Sequence, residues 1–272
     1  MENYIYENLY CVIMRKPKQE HKIYTNISRN ESALLGTVGD SDLPVFGVEE
    51  VRALTGWKGS RAHNTLHSLG NKGLVTRIKR GRYALTELVS DRLFEIATET
   101  VKPSYISFWT ALAHYGLTEQ QPALVQLVSV RQSKGFRIGR HRVHLTTWRP
   151  ERFYGYRKEG RFVIAEIEKA LVDSLYQPDK CGGMEEYAKC LGSSWERLDK
   201  GLFLDYVLRF GNRSMVSRAG YLAELLGLDG VSEGLRPHAA TGYVKLDPGG
   251  RGAPRRERRW KVMVNVELEG GP

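Results

Sequence analysis

The sequence predicts an α+β protein, in which an N-terminal winged helix-turn-helix precedes a larger mixed α/β unit. Three segments with helical spacing of apolar residues lead into a short alternating segment rich in arginine, which is the element order of a winged helix. Downstream, apolar strand-like runs alternate with amphipathic helical runs. We therefore expect an N-terminal arm at 1–27, a DNA-binding domain with a connecting helix at 28–98, and a C-terminal domain at 99–272. The sequence leaves open whether the arm is ordered.

The first two helices are bounded by residues that favour starts and stops. The first is predicted at 30–38, where Ser28 is available as the N-cap. Val45 and Phe46 are expected to form a short strand after it. The second helix is predicted at 48–54, and Gly56 ends it because glycine adopts the left-handed cap conformation without a steric penalty.

The third helix is the predicted recognition element, with Ser60 as its expected cap. Apolar residues spaced i, i+4 and i+7 face inward, so long polar side chains face outward. A recognition helix in the major groove reads base edges, and Asn64 suits adenine whereas Arg61 suits guanine. The predicted base-reading residues are Ser60, Arg61, His63, Asn64 and His67.

A basic hairpin follows the third helix. Residues 75–79 alternate in side-chain character, a turn follows at Arg80 and Gly81, and residues 82–85 return as a second strand. Cations on such a wing are suited to phosphate contacts, which give affinity without sequence preference. The predicted phosphate-binding residues are Lys58, Arg77, Lys79, Arg80 and Arg82.

The net charge of +10 is concentrated in two segments. Residues 43–86 hold eight Lys and Arg against two Glu, and residues 251–261 hold six against one. Local basicity of this kind favours a polyanionic partner, and double-stranded DNA fits the first segment. The alternative is that the winged helix is a docking scaffold for a protein partner.

For the second segment, three interpretations stay open: a DNA-contacting arm, an RNA- or partner-binding loop, and a solvated loop. Its candidate contact residues are Arg255, Arg256, Arg258 and Arg259.

The C-terminal domain is predicted to contain both helices and strands. A connecting helix is expected at 88–98 and a helix at 104–117, whose aromatic residues are either core or a stacking platform for bases. The other predicted helices are 165–176, 201–210 and 213–226; the predicted strands are 124–130, 136–138, 141–145, 162–164, 243–246 and 260–266; and 248–259 is a predicted loop.

No residue pattern points to catalysis. His63 and His67 have the i, i+4 spacing of a zinc pair, but Asn64 replaces the glutamate that a zinc hydrolase needs after its first histidine. The carboxylates Glu166, Glu168 and Asp173 have no accompanying nucleophile or phosphate loop. We expect no enzyme activity, no cofactor and no metal.

The cysteine pattern and hydropathy indicate the cytoplasm. Cys11, Cys181 and Cys190 are odd in number and lack CxxC spacing, so a disulfide framework is not expected. No apolar run approaches the roughly 20 residues of a membrane helix. The N-terminus lacks the basic region of a signal peptide.

Several segments resemble the AbiEi family, the antitoxin and repressor half of type IV toxin–antitoxin pairs. The winged-helix segments are GSRAHNTLHSL at 59–69 and KRGRYAL at 79–85. The more distinctive segments are YISFWTALAHYGLTEQ at 105–120 and EIEKALVDSLYQP at 166–178. The resemblance covers roughly 28–268 and includes the final strand.

The resemblance implies a DNA-binding repressor of its own operon. It also implies that the C-terminal domain opposes a nucleotidyltransferase-like toxin encoded nearby, without a need for direct contact. No membrane partner is expected. The sequence leaves the oligomeric state open, with a homodimer as one alternative. The alternative function is a stand-alone transcriptional regulator or a protein-interaction module.

Overall fold

The chain has a mixed α+β fold, as predicted. A computed structural model describes residues 26–119, 124–252 and 254–268, so residues 1–25 of the predicted arm lie outside the described residues. The helices in the described part are α1 (Arg29–Asp40), α2 (Val48–Thr55), α3 (Gly59–Asn71), α4 (Leu93–Thr100), α5 (Phe108–His114), α6 (Ile167–Tyr176), α7 (Met184–Ser194), α8 (Lys200–Arg209), α9 (Arg213–Leu225) and α10 (Ser232–Leu235). The strands are β1 (Val75–Lys79), β2 (Arg82–Leu85), β3 (Ser104–Ile106), β4 (Leu124–Ser129), β5 (Phe136–Ile138), β6 (His141–Thr147), β7 (Tyr156–Glu159), β8 (Phe162–Ala165), β9 (Val244–Lys245), β10 (Arg255–Glu257) and β11 (Val262–Val264).

The first three helices, the β1–β2 hairpin and the segments between them form an N-terminal module, whose helices and hairpin share one apolar cluster. Leu34 of α1, Val51 of α2 and Leu66 of α3 are fully buried in it. The hairpin is antiparallel, and Phe46 extends it by a bridge to Tyr83, whose amide and carbonyl both bond to the Phe46 backbone at 2.8 and 2.9 Å. The predicted order of three helices and a hairpin is therefore present, with Phe46 pairing at the edge.

The third helix begins two residues earlier than predicted, and the expected Ser60 cap is wrong. Lys58 occupies the N-cap position with extended backbone, and its carbonyl accepts the first helical bond from the Ala62 amide at 3.1 Å. No side chain caps this end. Ser60 is instead an exposed residue within the first turn of the helix.

The C-terminal part is built on a six-stranded mixed sheet in the order β5-β6-β4-β3-β8-β7. The pairs β4–β6 and β3–β8 are parallel and the other three pairs are antiparallel. Helix α6 belongs to the main apolar cluster, in which Leu171, Val172 and Leu175 are fully buried. A small second sheet has the order β10-β11-β9.

The predicted helix at 104–117 is wrong in its first turn. Residues 104–106 form strand β3, in which Tyr105 and Ile106 pair with β4 and are completely buried. Aromatic and β-branched side chains favour a pleated, packed surface, so tertiary packing overrides the helical spacing. The helix starts only after Ser107. Burial of Tyr105 and Phe108 makes them core residues rather than a stacking platform for bases.

Other differences concern short or polar elements. The connecting helix is α4, which starts five residues later than the predicted 88–98 segment and runs past residue 98. The exposed strand β7 and helix α7 were not predicted, and β10 lies inside the predicted 248–259 loop. Strand β7 lacks apolar alternation, which is why its sequence does not indicate a strand.

Asp42 connects the N-terminal module to the rest of the chain. Its carboxylate accepts hydrogen bonds from Arg92 at 2.9 Å and from Arg161, 119 residues away in sequence, at 2.5 Å. Arg92 also pairs with Glu95 of α4 at 2.7 Å. These ion pairs lower the pKa of Asp42, with the Arg161 hydrogen bond as the largest cause. The two parts are therefore in direct polar contact.

Candidate nucleic-acid interface

The outward face of α3 is polar and unobstructed by other described residues. His63, Asn64 and His67 are exposed, whereas Ala62 and Leu66 on the opposite face are fully buried. This division follows from the 3.6-residue period, which places side chains three and four apart on one face. His67 and Asn71 lie 3.4 Å apart through ring and amide nitrogens, one turn further along. Three of the predicted base-reading residues therefore form one exposed row.

Arg61 is exposed but held in place. Its guanidinium lies 4.0 Å from the centre of the Trp57 ring, and Nη2 donates to the Asn30 side-chain oxygen at 2.5 Å. Trp57 precedes the helix and Asn30 lies in α1, so Arg61 is supported from two sides. A preset guanidinium loses less conformational entropy when it binds an acceptor.

The predicted phosphate-binding residues fall into two groups. Lys58, Arg77 and Arg80 are exposed and form no ion pair with any described residue. Arg82 instead pairs with Glu50 of α2 at 2.6 Å. Lys79 turns toward the C-terminal sheet, where burial lowers the pKa of its amine. The structure thus brings three free cations to the N-terminal end of α3 and the hairpin.

Most acidic side chains of this module pair with neighbouring cations, whereas Asp40 is exposed and forms no ion pair with a described residue. Glu49 pairs with Arg52 at 3.0 Å, and Glu31 pairs with Lys72 at 2.8 Å. Glu31 also accepts a hydrogen bond from the Ser68 hydroxyl at 2.7 Å. The Lys72 hydrogen bond is the largest cause of the lowered pKa of Glu31, which falls to about 2. Little uncompensated negative charge therefore remains to repel a polyanion.

The second basic segment lies on the small C-terminal sheet. Arg255 and Arg256 are exposed on β10, and Arg256 lies 5.3 Å from the centre of the Tyr243 ring. Arg258 is exposed in the turn that follows, where Arg259 pairs with Glu224 of α9 at 3.0 Å. This segment is therefore a strand and turn packed on α9 rather than the loop that was predicted.

Within the described ranges, the carboxylates considered for catalysis are buried or form hydrogen bonds with neighbouring side chains. Asp173 is fully buried, and Glu166 accepts a hydrogen bond from Tyr206 at 2.6 Å. No group of three His, Cys, Asp or Glu side chains there could hold a metal ion. No helix of the described residues is long and apolar enough to span a bilayer.

Sequence reasoning missed three residues that support the α3 face. Trp57 and Asn30 position Arg61, and Glu31 ties α1 to the C-terminal end of α3. A signal for Glu31 was present, because Ser28 and Glu31 have the spacing of a capping box, and both bonds of that box form. No comparable signal marks Trp57 or Asn30.

Comparison with known proteins bears on the fold alone. No family model matches the chain, and no curated protein matches its sequence. Among solved structures, the fold is similar to that of the RV2827C protein from Mycobacterium tuberculosis, with a TM-score of 0.61 and 13% sequence identity. The match covers 87% of this chain and 92% of that chain. The chain therefore shares its mixed α+β fold with a solved protein along most of its length.

Proposed function

We propose that the protein is a sequence-specific regulator that binds double-stranded DNA through a winged helix. In this proposal α3 enters the major groove and the β1–β2 hairpin is the wing. The observation that carries the proposal is the exposed row His63, Asn64 and His67, with free cations beside it on Lys58 and the hairpin. Side chains of this kind suit base edges, and the flanking cations suit phosphates.

The charge distribution supports this assignment of roles. Arg77 and Arg80 provide phosphate contacts from the wing, and Arg61 is preset over Trp57 to reach a base or a phosphate. Phosphate contacts contribute affinity for any sequence, whereas contacts from Asn64 contribute discrimination of about 1–3 kcal/mol at one base pair. A mobility-shift assay with the DNA upstream of the gene tests the proposal. We expect a retarded complex at low salt, and absence of a complex there would contradict DNA binding.

We further propose that the C-terminal unit makes the protein an AbiEi-like antitoxin that opposes a nucleotidyltransferase-like toxin. The support is the resemblance of residues 105–120 and 166–178 to that family. Co-expression with a nucleotidyltransferase encoded beside the gene tests this role. We expect growth to be rescued by the full chain, including a variant with Arg77→Glu and Arg80→Glu that no longer binds the operator. Failure of every such rescue would overturn the antitoxin role and leave the DNA-binding role intact.

One observation favours a second candidate function, a scaffold that binds a protein partner. Two of the five predicted phosphate ligands, Lys79 and Arg82, are occupied by contacts within the chain. Under this reading the winged module is a docking platform. Charge reversal at Arg77 and Arg80 distinguishes the two functions, because it should abolish DNA binding but leave capture of a neighbour-encoded protein unchanged.

A further inference from the structure

An open cavity of about 910 Å³ is lined by no residue of α3. It is bounded by α4, by the start of β3 and by the edge strand β7. Ligand cavities of small molecules commonly measure about 300–1,000 Å³, so its size is suitable for a bound metabolite. Four cations and three carboxylates line it: Lys102, Arg131, Lys158, Arg161, Asp42, Glu95 and Glu99.

The cavity contains an aromatic ring that has one exposed face and packs with its other face on a buried ring. Tyr156 is 40% exposed, and it is the one aromatic residue among the large apolar side chains that are exposed in the described part of the chain. Its ring stacks on the completely buried Tyr105, with centroids 5.0 Å apart and planes 15° from parallel. Phe153 contacts the same ring at 4.8 Å. A third flat ring can therefore stack on the exposed face of Tyr156 at little cost in ordering.

Tyr105, on which Tyr156 packs, is held in one orientation by a hydrogen bond. The Tyr105 hydroxyl donates to the buried carboxylate of Asp173 at 3.1 Å. The same carboxylate accepts a hydrogen bond from Ser107 at 2.7 Å. Tyr105 therefore cannot turn away without leaving a buried polar group unsatisfied, which would be costly. This makes Tyr156 a stacking surface held at a set angle.

Two cations that line the same cavity form no ion pair with a described residue. Among the lining carboxylates, Asp42 binds Arg161, Glu95 binds Arg92, and Glu99 binds Lys102 at 2.6 Å. Arg131 and Lys158 are exposed and pair with no carboxylate of the described residues.

Lys158 lies on the same face of strand β7 as Tyr156. Lys158 is two residues beyond Tyr156 on β7, and alternation along a strand places both side chains on one face. A ligand whose ring covers Tyr156 therefore has positive charge close by.

We propose that this cavity binds a nucleoside phosphate, with its base on Tyr156 and its phosphate at Arg131 and Lys158. Bases stack on aromatic side chains regardless of sequence, and guanidinium and ammonium groups are the usual protein partners of phosphate. The ligand is either a free mononucleotide or the terminal nucleotide of a single strand. The proposal does not depend on operator binding by α3.

Isothermal titration of the full chain with AMP and with UMP tests the proposal. We expect saturable binding of both, and much weaker binding of inorganic phosphate or of adenosine, each of which lacks half of the ligand. Equal binding of inorganic phosphate and AMP would overturn the stacking role, and no binding of either mononucleotide would overturn the site. A single-stranded oligonucleotide that binds more tightly than AMP identifies a strand end as the source. Equal or weaker binding identifies a free nucleotide.

Variants locate the binding in the cavity. Tyr156→Leu should weaken AMP binding about tenfold or more, whereas Tyr156→Phe should retain it. The double variant Arg131→Gln with Lys158→Gln should weaken binding and reduce its salt dependence. Lys134→Gln is the matched control, since Lys134 is exposed near Arg131 but does not line the cavity. If Tyr156→Leu does not fold, the double variant decides, and AMP affinity unchanged in that variant would overturn the proposal.

Discussion

The ammonium of Lys79 lies 4.4 Å from the centre of the Phe136 ring, although the two residues belong to different sheets. Its Nζ also donates a hydrogen bond to the Ser133 hydroxyl at 3.2 Å. Strand β1 of the hairpin is thereby attached to the turn before β5. A residue with the charge and spacing of a phosphate ligand thus lies at the contact between the N-terminal module and the C-terminal sheet.

This contact predicts that Lys79→Ala mainly lowers stability. Loss of the cation–π contact and the hydrogen bond should cost about 1–2 kcal/mol, measured as the free energy of unfolding in urea. Affinity for DNA should change less than in Arg80→Ala, which removes an exposed cation and should leave stability unchanged. An unaltered unfolding midpoint in Lys79→Ala, together with a loss of DNA affinity equal to that in Arg80→Ala, would contradict this interpretation.

Arg80 and Arg82 provide a matched pair on the β1–β2 hairpin. Arg80 is exposed without an ion pair in the described structure, whereas Arg82 is bound by Glu50. Arg80→Ala should therefore weaken binding to every DNA sequence and reduce the slope of log affinity against log salt by about one. Arg82→Ala should reduce that slope less. Fluorescence anisotropy over a salt series measures both slopes, and equal slopes in the wild type and Arg80→Ala would rule out a phosphate contact at Arg80.

The lowered pKa of Glu31 predicts a pH dependence of stability. The carboxylate titrates near 4.5 when unfolded and near 2 when folded, mainly because of Lys72. A folded-state pKa below the unfolded one means that the stabilisation is complete above pH 4.5 and is lost as the pH falls toward 2. Glu31→Gln should remove this part of the acid sensitivity, while Glu49→Gln, at an exposed ion pair, should retain it. Identical urea-midpoint profiles for Glu31→Gln and wild type across this range would refute the prediction.

The buried pair Lys169 and Asp173 predicts non-additive mutations. Both side chains are completely buried, and Asp173 also accepts hydrogen bonds from Tyr105, Ser107 and Trp148. Asp173→Leu leaves the ammonium without its counter-ion and should cost about 3–5 kcal/mol. Burial already lowers the pKa of Lys169, so adding Lys169→Met to that variant should recover part of the loss. Unfolding free energies that are additive in the double variant would contradict the pairing.

The sequence predicted elements that are governed by local signals. The hairpin 75–85 follows from alternation around Gly81, whose φ of +72° suits glycine in the turn. Helix α6 follows from its apolar stripe, which the structure buries. In both cases the residues that decide the structure are neighbours in the chain, so their pattern is sufficient.

Tertiary contacts could not be predicted in this way. The sequence gives no indication that Lys79 meets Ser133 or that Arg161 meets Asp42, because the partners are 54 and 119 residues apart. The same limit explains the error at Tyr105, where pairing with a distant strand overrides helical spacing. The exposed row on α3 was predictable from the helical spacing of its apolar residues. The ion pair between Arg82 and Glu50 was not predictable.

Sequence-specific DNA recognition by α3 is the central claim. Its most direct test is the affinity of the full chain, measured by fluorescence anisotropy, for the DNA upstream of its gene and for a shuffled duplex of the same length and composition. We expect the upstream DNA to bind at least about 10³-fold more tightly at physiological salt, and Asn64→Ala to reduce that ratio. Equal affinities for the two duplexes would contradict the claim, as would a ratio that Asn64→Ala leaves unchanged.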